Sequence, residues 1–256
     1  MTMPAGASSA NDVSRMDGVP QLDDAALWAT VVGQEPAVAL LRQAANQPVH
    51  AYLLVGPPGA GRTEAARAFA GTLFAGSGPA EDGSTGEDLE GQRHRALAAI
   101  GQHPDLVLVE PEGRSLLVAD AERITVEGWR SPIEADRKVI VVDRFDTAEP
   151  AAASSLLKTI EEPPASAVFV LLAEEVPDEH VTIASRCVRV DLPPVPDQVV
   201  ADALVAEGVA ADRADELATA SAGSVARARL LAVDPAFLGR RDAWHSVPER
   251  LDGSGA

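Results

Sequence analysis

The sequence predicts an α/β fold, a doubly wound parallel sheet followed by a small helical domain, and three observations point to it. His50–Ala70, HAYLLVGPPGAGRTEAARAFA, reads as a buried strand, a glycine-rich turn and the start of a helix. Two further unbroken apolar runs, KVIVV at 138–142 and AVFVLL at 167–172, alternate with segments of helical periodicity, which is the pattern of parallel strands buried on both faces. The stiff stretch Leu192-Pro193-Pro194-Val195-Pro196 is then followed by helical segments alone.

Taken in order, residues 1–22 are rich in Ala, Ser, Gly and Asp without periodicity and are expected to be a disordered tail, with order beginning near Trp28. A turn at Val32-Gly33 opens an amphipathic helix that carries Val38, Leu41 and Ala45 on one side. Standing ahead of a nucleotide loop, that turn could wall an adenine pocket or simply fill the core. The strand Tyr52–Val55 enters a turn that meets the P-loop pattern G-x-x-x-x-G-K-[ST] at Gly56, Gly61 and Thr63, with Arg62 in the lysine position. The glycines, Gly59 among them, let backbone N–H groups approach a phosphate, and the following helix adds the positive end of its dipole. Arg62 keeps a cation there, but a planar fork does not reproduce the contact of a compact ammonium. Binding of ATP or ADP could survive this change where hydrolysis would not, so no cofactor is required of the loop, and ordinary strand-to-helix punctuation is the competing explanation.

Gly76–Arg93 is poor in apolar residues and is expected to be a surface loop. A strand is expected over Asp105–Val109, then a helix capped by Asp120 and ended at Ser131-Pro132. The run at 138–142 delivers Asp143 to a strand end, where a carboxylate beside a P-loop orders nucleotide-bound magnesium, or else merely caps the strand. Ala151–Glu162 is helical until Pro163-Pro164, and 167–172 and 188–192 are strands. Helices around 199–207, 211–221 and 224–233 complete the order. The expected division is a tail at 1–22, an α/β domain at 23–192, a three-helix lid at 193–246 and a frayed end at 247–256.

Composition narrows the function. The chain has 256 residues, 46% of them hydrophobic, enough for a core. Its 39 acidic and 21 basic residues give a net charge of -18, a poor footprint for holding DNA through a general basic surface. Cys187 is the single cysteine, which excludes a disulfide framework and a cysteine-cluster zinc site. No apolar run reaches membrane-spanning length and no signal peptide pattern opens the chain, so a cytoplasmic location without membrane contact is expected.

Three separated segments resemble one family, the AAA+ subunits of the bacterial DNA polymerase III clamp loader. Ser154–Pro164, SSLLKTIEEPP, is similar to the family's helix ending L-L-K-x-x-E-E-P-P. Ser185-Arg186-Cys187 matches its S-R-C motif, and Val32–Glu35, VGQE, precedes the GPPGAGRT loop in the family's order. The resemblance covers about residues 28–235 and implies an AAA+ P-loop sheet with a lid. It implies nucleotide-site residues at Val32, Gly33, Gly56, Gly59, Gly61, Arg62, Thr63 and Asp143. It also implies that Arg186 reaches, as an arginine finger, the γ-phosphate of ATP held by a neighbouring subunit.

The family contains ATP-hydrolysing motors, gamma/tau, and a stator, delta-prime, whose own site has decayed. Five residues at four places in the site favour the stator. Arg62 replaces the lysine, Arg144 stands where an acid would orient water, Ala173 and Glu174 replace small hydroxyls, and Ala226 stands at a sensing arginine position. The expected partners are gamma/tau and delta subunits, the sliding clamp and, through the complex, primed DNA. No zinc is expected, because the family's four-cysteine module has no counterpart in 76–93. The residues after Pro196 accommodate a lid but not the helical collar. A motor of the same family with unusual residues, and an unrelated P-loop enzyme, remain the alternatives.

Overall fold

The computed structural model describes residues 21–76, 89–234 and 239. The first helix, α1 (Asp24–Ala29), starts ahead of Trp28, because Asp23 accepts the Ala26 N–H at 2.7 Å and Leu27 and Trp28 are buried. Helical structure is thus already present ahead of Trp28. Then come α2 (Glu35–Asn46), the strand β1 (Ala51–Val55) and α3 (Arg62–Phe74).

The expected loop at 76–93 is corrected at its end, since α4 (Leu89–Ala99) begins at Leu89 and packs on α3. Its buried face is Gly91, His94, Ala96 and Ala98, residues too small or too polar to register as an apolar stripe. The rest of that loop, 77–88, lies outside the described residues, as do tail residues 1–20 and the end at 247–256.

β2 (Leu106–Val109) leads to α5 (Val118–Trp129), and Asp120 serves that helix from inside its first turn, accepting the Leu117 N–H at 2.9 Å. β3 (Lys138–Val142), α6 (Pro150–Glu161), β4 (Ala167–Ala173), α7 (Val181–Ala184) and β5 (Val188–Asp191) follow. Three helices close the described chain: α8 (Asp197–Ala206), α9 (Ala211–Ser221) and α10 (Val225–Ala232).

The five strands form one sheet of order β2-β3-β4-β1-β5, with every pairing parallel. β1 is thus an inner strand, and its loop leaves from the middle of the C-terminal sheet edge. Alternate residues feed two cores. Tyr52, Leu54, Val141 and Val170 pack with α1 to α3, whereas Leu53, Val142, Phe169 and Leu171 pack with α5 and α6. A third cluster, built on Val200, Leu204, Leu217 and Val225, belongs to the terminal helices, which form a lid. Among the described residues no helix is long and apolar enough to cross a membrane.

Candidate functional site

The loop after β1 has the backbone of an anion cradle. The Gly56 N–H donates to Ala173 O at 3.1 Å, carrying the pairing of β1 with β4 one residue further. Gly59 and Gly61 then turn at φ 78° and 94°, a region that other residues enter only with strain, and aim the start of α3 at the space inside the loop. Arg62 and Thr63 are the first two residues of that helix, both half-buried. Arg62 Nη1 is buried without a hydrogen-bond partner among the described residues, and Arg62 does not line the cavity that remains over the loop.

That cavity is small because the lid sits on the loop. A Cβ on Gly59 would lie 1.8 Å from Ser224 Oγ, one on Gly56 would lie 2.1 Å from Leu192 O, and one on Gly33 would lie 2.6 Å from Val195 Cγ1. Gln34, 1% exposed, joins the two parts: its Nε2 donates to Ala60 O at 3.0 Å and to Pro193 O at 2.7 Å. The space left is about 10 Å³, lined by Val32, Gly61, Glu64, Ala226 and Arg229 among others. It holds roughly one water, whereas ligand pockets run to several hundred Å³. The backbone would suit a phosphate, and the space beneath the lid as it lies is of water size.

Arg229, three residues along α10 from Ala226 and so on the same helix face, was not among the sequence candidates; that spacing could have found it. Its guanidinium is taken by Glu207, with Nη2 to Oε1 at 2.6 Å and Nε to Oε1 at 2.9 Å. Gln34 and Ser224 were missed as well, because their partners are tertiary.

Asp143 follows directly on β3, which β4 separates from β1, and it does not line the cavity. Its neighbour Arg144 adopts φ 50° and turns its guanidinium to the carbonyls of Gly113, at 2.9 Å, and Pro111. Arg144 Nε stays 3.9 Å from the Asp143 carboxylate. A carboxylate able to align a water is thus missing from position 144, and the residue there is directed into a neighbouring loop.

Arg186 lies apart from this cluster, just beyond α7. Its side chain is 39% exposed, with Nη1 donating to Thr182 O at 2.8 Å and Nη2 2.8 Å from Glu161 Oε1. Beside it, Cys187 donates Sγ–H to Ile183 O at 3.3 Å, and burial pushes its thiol up to about 12. This is a packing residue without nucleophilic character.

A further group brings His94, His103 and Glu134 within ligand distance, their atoms lying within 4.8 Å of one another. Their hydrogen bonds account for them differently. The Asp105 N–H donates to His103 Nδ1 at 3.0 Å, which leaves the His103 proton on Nε2, pointing at His94 Nδ1 2.7 Å away. Glu134 is gripped by Arg93 at 2.7 and 3.3 Å. These groups satisfy one another.

The family model described as DNA polymerase III, delta subunit matches residues 33–196. DNA polymerase III subunit delta' of Bacillus subtilis is 32% identical over 169 residues, 66% of this chain and 50% of that protein. Subunit delta' of Pseudomonas aeruginosa is 33% identical over 145 residues, 56% and 43% of the two chains. The gamma/tau subunit of Mycobacterium tuberculosis is 32% identical over 164 residues, 63% of this chain and 28% of that one. This chain thus spans half or less of these curated relatives' length. Among solved structures, a DNA polymerase III gamma subunit-related protein of Thermotoga maritima has a TM-score of 0.47 at 20% identity, over 73% of this chain and 58% of that one. With a delta-subunit model covering more than half of the chain and delta' proteins among its relatives, this protein belongs to the DNA polymerase III clamp loader family as a subunit of the delta-prime type.

Proposed function

We propose that this chain is a stator of the clamp loader. It hydrolyses no nucleotide of its own and lends Arg186 to ATP held by a neighbouring gamma/tau-type subunit while the sliding clamp is loaded onto primed DNA. The observation that carries this reading is an asymmetry between two sites. The loop that would hold the chain's own nucleotide is filled by its lid, while Arg186 stands on the surface. A guanidinium fixed beside a transferring phosphoryl group offsets the charge that spreads over its oxygens, which assists the reaction without any base or nucleophile from the same residue. Arg144 in place of a water-orienting acid, and the capture of Arg229 by Glu207, support the same division of labour. Gamma/tau and delta subunits, the clamp and primed DNA are the partners this role requires; the acidic balance of the chain favours contact with DNA through the assembly.

The test is a loader reconstituted from full-length subunits with clamp and primed DNA. Arg186→Ala is expected to leave thermal stability and assembly unchanged and to lower ATPase and clamp loading by roughly tenfold or more. Unchanged rates would overturn the proposal, as would ATP turnover by the isolated chain that Thr63→Ala abolishes.

A further inference from the structure

Arg186 is engaged by its own chain. α6 runs to Glu161 and is stopped by Pro163-Pro164, so Glu161 stands at the helix C-terminus beside α7. An acidic residue is electrostatically unfavourable there, because the C-terminal end of a helix is the negative end of its dipole. Glu161 gains its compensating cation from Arg186, 2.8 Å away. The other terminal nitrogen of Arg186 is held by Thr182 O at 2.8 Å. Both Nη atoms, the pair through which a guanidinium grips a phosphate in two parallel bonds, are therefore occupied within the chain.

We propose that Glu161 is a positioning residue that clasps Arg186 until a nucleotide-bearing subunit arrives, and then yields it to the γ-phosphate. This rests on the trans-acting role of Arg186 proposed above. The strength of the clasp suits release. Both partners are well exposed, at 39% and 43%, and such pairs shift an equilibrium by no more than roughly two- to fivefold. A phosphate carrying more than one charge and accepting two bonds at once displaces a single carboxylate contact of this kind. A fully desolvated pair in the same place would hold the guanidinium against that competition.

The experiment titrates the full-length subunit into the other loader components and reads the half-maximal concentration separately from the plateau ATPase rate. Glu161→Gln keeps the side-chain shape and removes the charge. It is expected to lower the half-maximal concentration by roughly two- to fivefold at low salt with the plateau unchanged. The difference should disappear near about 1 M salt, where charges are screened within a few ångströms. In an Arg186→Ala background Glu161→Gln should do nothing. An unchanged half-maximal concentration, a lowered plateau, or an effect that persists without Arg186 would each overturn the clasp. If Arg186→Ala by itself leaves the plateau intact, it is the trans-acting role that fails, whatever Glu161→Gln does.

Discussion

His103 shows what a single residue can do to the pH dependence of this fold. Burial first, and the neighbouring His94 second, push its imidazole from the ordinary 6.5 to about 4, against the opposing pull of Asp105 and Glu134. Phe74 stacks on the ring at 4.0 Å, and the Asp105 N–H fixes the tautomer. The sign of the effect follows from proton counting. Between pH 6.5 and about 4 the unfolded chain takes up a proton on this residue and the folded chain does not, so stability falls as pH drops through that window and levels off below it. Wild type should therefore lose on the order of 3 kcal/mol more than His103→Gln across the window in urea unfolding. Equal losses would show that the ring is solvated. Nothing in the sequence announced the contact of His103 with His94, because it depends on two rings meeting in space. The P-loop glycines were legible because each acts through its own backbone. Arg186 was singled out only through its two flanking letters, and no sequence signal pointed to Glu161, with which it pairs.

At the scale of elements, an unbroken apolar run was a reliable sign and a short mixed one was not. β1, β3 and β4 lie where the runs of valine, leucine and isoleucine stand, since inner parallel strands are covered on both faces. α4 escaped detection because its buried face is glycine, alanine and histidine. Asp105, expected to open a strand, instead sits fully buried one residue ahead of β2. Its carboxylate accepts the N–H groups of Ile133, Glu134 and Ala135 at 2.6, 2.8 and 2.8 Å and folds the connection into β3. Burial raises this carboxyl group, but the Ala135, Glu134 and Ile133 N–H groups outweigh it and the net displacement is downward. Asp105→Ala would strand three donors and should cost about 2–4 kcal/mol at neutral pH. Because the folded carboxyl titrates below its ordinary value of 3.8, the carboxylate's contribution is complete above that value and is lost as pH falls through the folded one. A cost under about 0.5 kcal/mol in denaturant unfolding at neutral pH would show that water serves those donors equally well.

For the whole molecule, the decisive relation is between loop and lid, and sequence could not supply it. Gln34 and Pro193 are 159 positions apart, and no periodicity connects them. Closure follows from the absence of side chains at Gly33, Gly56, Gly59 and Gly223, which lets Leu192, Val195 and Ser224 approach the backbone directly. The glycines that would otherwise admit a phosphate thus admit the lid. Gly59→Ala tests this relation, because the added carbon would meet Ser224 Oγ at 1.8 Å and the residue holds φ 78°. The variant should lose about 1–3 kcal/mol and show faster amide exchange over 223–228, while the amides of β1, β3 and β4 keep their protection. Gln34→Ala removes the amide that ties Ala60 to Pro193 and should loosen the same lid residues without touching the loop's own conformation. Calorimetric titration completes the test. Wild type is expected to give no ATP binding at concentrations up to about 100 μM, where a purpose-built site would be saturated. Micromolar binding to wild type with lid exchange unaltered would mean that nucleotide enters without displacing Ser224, and the closed loop would no longer support the proposed stator role.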